Sequence, residues 1–509
     1  MKRTFLTILP IAAALLLATS CSKDSDDNNV SIIDNPQPAE TIEQPAEQPA
    51  ETTVKIPFTV KVGGGESLSK IGYALQKDGD NDIWNKVTRT FDDDDLAGGT
   101  HPITLTVNGA ETNSGITEST LSLKKDDDGK FYFEGDITVD ADKKDAFTGE
   151  TGIALVGEFT VSGTALPTSS NESLAKLMES CAHTYKTKDG EFTSKSPSIT
   201  LYDQNVYLAI QMSPLQHNID VAIGGTASNY PMNSDGQVWI ALAANTAVST
   251  NFLSKEASEV VAGHIYTIDR SGFVDLGIEG GILWADKNIG ATNVYDYGDY
   301  YAWGETVPYY EDGHATDRPC ENWRTVGERA FSGYNWTNYA GFDGDASGKN
   351  FTKYKDASTS TLSTADDIAY QTYQKDKVSM PTTGEFDALK KGCYWVWTND
   401  YSGKKGYIVY KSQSSEAGAV VTSSGTAADG YSTADVTHIF LPAAGYRDES
   451  GLYGAGYGAD YYGGSYWSSS LYTDDPYYAY DLYFDDGYVD EQSYDERYYG
   501  QSVRAVRRK

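Results

Sequence analysis

From about residue 54 to 270 the chain alternates. The segments TVKIPFTVKV, HPITLTV, KFYFEGDITV, GIALVGEFTV, SITLYDQNVYLAIQM, HNIDVAIGG and GQVWIALAA carry apolar residues at every second position or in short runs, separated by Gly, Asn and Asp. A period of two sends successive side chains to opposite faces, so the pattern predicts half-buried strands. DDDG before Lys130 and SDGQ at 234–237 are hairpin-type turn signals. One stretch has a different period. Leu174, Leu177, Met178 and Cys181 share a helical face, with Asn171 placed to cap that helix. The prediction is an all-β, sandwich-like domain over 54–270 that contains one helix.

Near YTIDRSGFVDLG (266–277) the texture changes. Trp, Tyr and Gly become dense, and helix and strand signals mix. TADDIAYQTY reads as a short helix capped by Thr364, with Asp367 three residues on. MPTTGEFDALKKGC reads as another: Thr382 or Thr383 caps it, Phe386 and Leu389 face inward, and Gly392 closes it. Strand candidates are KGYIVYKS, THIFLPAAGYR, SYWSSS, YDLYF and SVRAVR. Trp467, followed by three serines, suits a buried strand whose hydroxyls bond nearby backbone. In AYDLYFDD the alternation places Leu482 and Phe484 on one face and leaves Asp481, Tyr483 and Asp485 free on the other. Residues 271–509 are predicted to be an α+β domain.

The first residues change the picture of where the chain resides. Lys2 and Arg3 precede the apolar FLTILPIAAALLLATS, and the small residues Ala18, Thr19 and Ser20 lead into Cys21. That order predicts a secretory signal over 1–20. Residues 21–53 are polar, acidic and proline-rich, with PAE at 38–40, 45–47 and 49–51, and are expected to form an extended tether. The net charge of −33 argues against nucleic acid or an anionic lipid surface as a partner. Arg504, Arg507, Arg508 and Lys509 form the only dense basic cluster.

Candidate chemistry is sparse. Beyond Cys21 there are three cysteines, Cys181, Cys320 and Cys393, so no complete disulfide framework follows, although a Cys320–Cys393 bridge stays open. DGDASG (343–348) starts like a calcium loop, but Tyr354 stands where the bidentate Glu belongs; an irregular calcium site remains an open alternative. DGDND (78–82) lacks both the Gly and the Glu, and WTND (397–400) interrupts the Trp-Asn-Asp order of sugar-binding lectins. The six histidines have no paired-ligand spacing, and no GxSxG is present. No cofactor, metal or catalytic residue is assigned.

The last segment is the most unusual. From Tyr453 to Tyr499 there are 14 tyrosines and 10 acidic residues in 47 positions, and Asn399 is the last asparagine of the chain. Tyrosine offers large, rigid contact area with a polar tip at low entropic cost. A surface this rich in rings marks an interaction site. The candidate ligand-binding residues are Tyr453, Tyr457, Tyr461, Tyr462, Tyr472, Tyr477, Tyr478, Tyr480, Asp481, Tyr483, Asp485, Tyr488, Asp490, Tyr494, Tyr498 and Tyr499.

Several of these stretches resemble known families. The cysteine after small residues resembles a bacterial lipobox, and SKDSDD behind it resembles the surface-export tag of Bacteroidota lipoproteins. The resemblance implies lipidation at Cys21 and an outer-membrane, surface-exposed location. The order of signal, Pro-rich leader and long β domain resembles fimbrillin-type pilus proteins. The blocks VDLG…LWADKNIGAT…YGDYYAWGET (274–306), YNWTNY (334–339), MPTTGEFDAL (380–389), IFLPAAGYR (439–447), YWSSS (466–470) and GQSVRAVR (500–507) resemble the Fibrobacter succinogenes major paralogous domain, a C-type-lectin-like module. Members often carry Cys where Asp286 stands. A Tyr/Asp-rich tail without Asn, ending in SVRAVR, resembles the variable proteins diversified by retroelements. Together these resemblances imply a surface lipoprotein adhesin, at a pilus tip or alone, whose variable segment at about 453–499 contacts a glycan or protein receptor. Two alternatives stand beside it: a structural envelope or pilus subunit without a specific ligand, and an enzyme of the formylglycine-generating type.

Overall fold

The computed structural model describes residues 51–62, 91–188, 192–308, 336, 339, 351–375, 377–413, 415–448, 451–455 and 462–509, together with the backbone of the strands Ile71–Asp78 and Asp82–Arg89. Cys21, Cys320, DGDASG, Tyr457 and Tyr461 lie outside the described residues. The described residues are mostly β, 43% strand and 11% helix, arranged in several sheets.

The alternating segments before Asp203 join one twelve-stranded sheet. Its longest pairing runs antiparallel from Thr53↔Asp140 to Lys61↔Tyr132. DDDG closes a hairpin between Ser119–Lys125 and Phe131–Asp140, with Gly129 supplying the positive φ of the turn. The inward positions, among them Val60, Leu105, Leu121, Phe133, Ile137 and Leu155, are fully buried in a single core. Burial of that apolar surface, at roughly 25 cal/mol per Å², drives this part of the fold.

SITLYDQNVYLAIQM is not one strand. Tyr202–Asp203 ends the large sheet, and Asn205–Gln211 begins another. The break centres on Asp203, which is fully buried. Its carboxylate meets His183 Nδ1 at 2.9 Å and accepts from the Tyr207 hydroxyl at 2.6 Å and from the Asn205 amide at 3.0 Å. The other ring nitrogen of His183 faces the Met178 carbonyl. With acceptors on both sides, the ring is held as its cation. Burial lowers its pKa, but the hydrogen bonds and charges of Asp203 and Cys181 together outweigh that and raise it to about 10. The helix Leu174–Ser180 is thereby tied to the seam. Its cap is Ser173, whose side chain accepts from the Lys176 amide, and not Asn171.

SDGQ makes a turn through Gly236, but the flanking strands Thr226–Pro231 and Gln237–Ala243 enter different sheets, so it is a crossover and not a hairpin. The core does not break at 270 either. Val206, Leu208, Ile210 and Ile240 share one buried cluster with Phe273, Leu283, Trp303, Met380, Trp467 and Val503. Polar ties cross the same line. Ser213 donates to Asp286 at 2.8 Å, Gln216 accepts from the Asp275 amide, and Asn251 donates to the Asp275 carboxylate. The core of the large sheet ends at Leu201 and the next begins at Val206, with Leu177 and Met178 of the helix packing across that line on Tyr207, Ala241 and Ile265.

In the C-terminal region Leu283–Ala285 pairs with Val506–Arg507, which staples its first strands to its last. The helix Thr383–Gly392 begins with a capping box between Thr382 and Glu385 and buries Phe386 and Leu389. The shorter helix Ile368–Tyr373 is capped by Asp367, not Thr364. Arg504 belongs to the interior. Its guanidinium donates to Asn288 Oδ1 and to the carbonyls of Ala285 and Phe440 at 2.7–3.0 Å. Arg508 pairs with Glu385, so the terminal basic cluster serves mainly as framework.

Candidate functional site: a tyrosine-lined face

The three-stranded sheet Gly463–Leu471, Tyr478–Asp485 and Val489–Glu496 carries most of the Tyr/Asp segment. Its first strand is framework. Trp467 is fully buried and donates to the Tyr301 carbonyl at 2.8 Å, and the Ser468 hydroxyl donates to the Tyr480 carbonyl at 2.7 Å. Gly464 lies against the Phe484 ring, where a Cβ would approach to 2.4 Å. On the middle strand Leu482 and Phe484 pack with Phe386 and Leu389 of the helix, as alternation predicts.

Asp481 departs from the expectation. It is 1% exposed and so does not line a contact surface. The opposite face of the strand is covered too: Ala479 joins Trp467 and Leu471 in the core, and the chain at 500–502 bridges Arg447, Tyr301 and Tyr466. Gln501 Nε2 donates to Asp481 Oδ2 at 2.8 Å and to Asp495 Oδ2 at 3.3 Å. Burial, then the neighbouring Asp495, pushes Asp481 up to about 8. Burial, then the adjacent Glu496, pushes Asp495 up to about 7. Two carboxyls on one face of adjacent strands cannot both ionise cheaply. Tyr498 is buried as well.

The remaining tyrosines gather. Tyr453 stacks on Tyr446 with ring centroids 5.6 Å apart, and Tyr446 on Tyr499 at 5.5 Å. Tyr499 meets Tyr498 edge-on at 4.8 Å, and Tyr498 meets Trp336 at 5.2 Å. From Trp336 the contacts continue through Tyr477 at 3.9 Å, Tyr478 at 5.5 Å and Tyr494 at 5.4 Å. Tyr494 stacks on Tyr472 at 4.3 Å, and Tyr472 meets Tyr480 at 5.2 Å. Ten rings thus form one unbroken ribbon. Tyr483 and Tyr488 make a separate pair at 5.7 Å. Tyr453, Tyr488 and Tyr494 are 41%, 51% and 49% exposed, unusual for large rings in a folded chain. Tyr462 stands apart, half-buried under the Lys405 ammonium at 3.8 Å.

Carboxylates flank the Tyr483–Tyr488 pair. Asp485 Oδ1 accepts from the Gly487 and Tyr488 amides, and Asp490 Oδ1 from the Gln492 amide, so each holds a turn with one oxygen. Burial and neighbouring carboxylates raise the hydroxyl pKa values of Tyr472, Tyr478 and Tyr488, keeping these groups protonated as hydrogen-bond donors. Sequence reading missed two ribbon members, Tyr446 and Trp336, because each lies inside a block taken as framework. The signal for Tyr446 is its register opposite Tyr453.

Other candidates carry less chemistry. Asp78 and Asp82 of DGDND are paired ends of hairpin strands. WTND forms the end of another hairpin, where Trp397 donates to Asn399 at 3.2 Å. Cys181 lies 3.4 Å from His183 Nε2 with Asp203 behind the ring, but all three are buried and that nitrogen is engaged by the Met178 carbonyl. Cys393 is a buried free thiol. Among the described residues no group of three or more His, Cys, Asp or Glu is placed to hold a metal ion. A polar cleft of about 300 Å³ lies between the strands Asn218–Ile223 and Thr226–Pro231 and residues 411–437, lined by Asn218, Asn229 and Asp435, with the Asp220–Lys411 ion pair across it. Comparison of the chain with family models, with curated proteins and with solved structures finds no match in any of the three.

Proposed function

We propose that this chain is a lipid-anchored surface protein whose C-terminal, C-type-lectin-like region binds a receptor through the tyrosine ribbon and the Tyr483–Tyr488 pair. The observation that carries the reading is the ten-ring ribbon, which rests on framework residues and leaves Tyr453 and Tyr494 half-exposed. The stapled ends of the region and the lectin-like sequence blocks support the finer fold. The signal, Cys21 and the acidic tether support presentation at the outer membrane, alone or at a pilus tip. The tail without Asn supports diversification by a retroelement, with a fixed framework and changing rings.

A structural subunit without a ligand is the second reading, favoured by how many of these rings pack on one another. Binding to glycan and matrix-protein arrays separates the two. Replacing Tyr453, Tyr472, Tyr488 and Tyr494 together by Ala is expected to abolish array binding, since each anchor is worth roughly 1–2 kcal/mol. Circular dichroism and the unfolding midpoint are expected to stay near wild type. Undiminished binding by the folded variant, or no array ligand for the wild type, contradicts the reading.

A further inference from the structure

We infer that the partner of this face is a protein surface rich in Arg and Lys. The inference rests on the proposed binding role and specifies its chemistry. Elsewhere in the same region the chain pairs its tyrosines and carboxylates with its own cations. Lys404 lies 4.6 Å from the Tyr297 ring centroid, Lys405 3.8 Å from Tyr462 and Arg447 4.8 Å from Tyr300. Glu385 pairs with Arg508 and Glu491 with Lys390.

The face repeats the acceptor half of this pattern without the donor half. Between Tyr472 and Tyr499 there are nine acidic residues, of which Asp481 is buried and Glu491 is the partner of Lys390, and one basic residue, Arg497. Arg497 is fully buried, spending its donors on the Tyr339 hydroxyl and on the carbonyls of Lys353, Tyr354 and Pro476. Among the described residues no Lys or Arg forms an ion pair with Asp474, Asp475, Asp485 or Asp490, and none lies over the rings of Tyr453, Tyr472, Tyr478 or Tyr494. Asp474 and Asp475 flank Tyr472, and Asp485 and Asp490 flank Tyr488. A guanidinium or ammonium entering here finds ring faces and carboxylates together, which is the arrangement that holds a cation on an aromatic surface. A neutral sugar leaves that charge unused, and a negative partner is repelled.

The test measures binding of the full mature chain to an immobilised peptide of alternating Arg and Ser. Three proteins are compared with wild type. The first is Asp474→Asn, Asp475→Asn, Asp490→Asn, in which asparagine keeps the oxygens that accept the Tyr477 and Gln492 amides. The second is the four-tyrosine variant. The third, Asp126→Asn, Asp127→Asn, Asp128→Asn, removes the same formal charge from an exposed hairpin turn. The expected result is wild-type binding that weakens with salt, falls roughly tenfold or more in the first two proteins and is unchanged in the third. Equal loss in both Asp→Asn proteins means general attraction to an acidic chain and overturns the inference. No peptide binding also overturns it. If tyrosine-dependent binding to a neutral glycan persists in that case, the binding surface stands and only its partner chemistry falls. If no tyrosine-dependent binding is seen at all, both fall.

Discussion

Asp481 faces Ser493 across the sheet and shares Gln501 with Asp495. Its folded pKa, about 8, lies above the ordinary carboxyl range. A raised pKa means the fold prefers the protonated form, so the contribution is fully present below about pH 4. It is lost progressively as pH rises toward about 8. His183, raised to about 10, has the same sign in a higher window, from about 6.5 upward. The informative quantity is therefore wild type against Asp481→Asn at each pH, where the histidine cancels. Urea unfolding is expected to show the variant gaining on wild type from pH 5 to pH 9, reaching on the order of 1–3 kcal/mol at the alkaline end. Parallel stability curves contradict a buried proton at this site.

At the scale of elements, the alternating strands were legible because one covered face leaves a period of two in the sequence. The helix Thr383–Gly392 was legible for a similar reason, with Phe386 and Leu389 on one face and a capping box at its start. The strand Val489–Glu496 left no such trace. Val489 is its only apolar residue, and pairings such as Tyr480↔Tyr494 define it. Asp481 misled for a related reason. Alternation assumes one covered face, yet the middle strand is covered on one side at Ala479 and Asp481 and on the other at Leu482 and Phe484. The tyrosine segment itself was visible in composition alone. Its continuity through Trp336 and Tyr446 was not, because both come from distant segments that only the fold brings together.

Across the whole molecule, the residues from Asn205 onward behave as one packing unit with the C-terminal region. Excising the chain before 271 strips Val206, Leu208 and Ile210 from a shared core and leaves the buried carboxylates of Asp275 and Asp286 without Asn251 and Ser213. A fragment 271–509 is expected to unfold at lower urea than 205–509, or to bind hydrophobic dyes as a loosened state. Equal stability of the two fragments contradicts the shared core. Asp286 stands where the resembling domain often carries Cys, and its bond to Ser213 is one of the ties across this seam.

The central claim is that a fixed framework presents an exchangeable tyrosine surface. Deep sequencing of the coding DNA for residues 441–509 across one growing population tests it most directly. Substitutions are expected at exposed and half-exposed positions such as Tyr453, Tyr472, Tyr478, Tyr488 and Tyr494, while Trp467, Asp481, Leu482, Phe484, Arg497 and Arg504 stay unchanged. A uniform sequence, or changes spread equally over framework and ribbon, contradicts it.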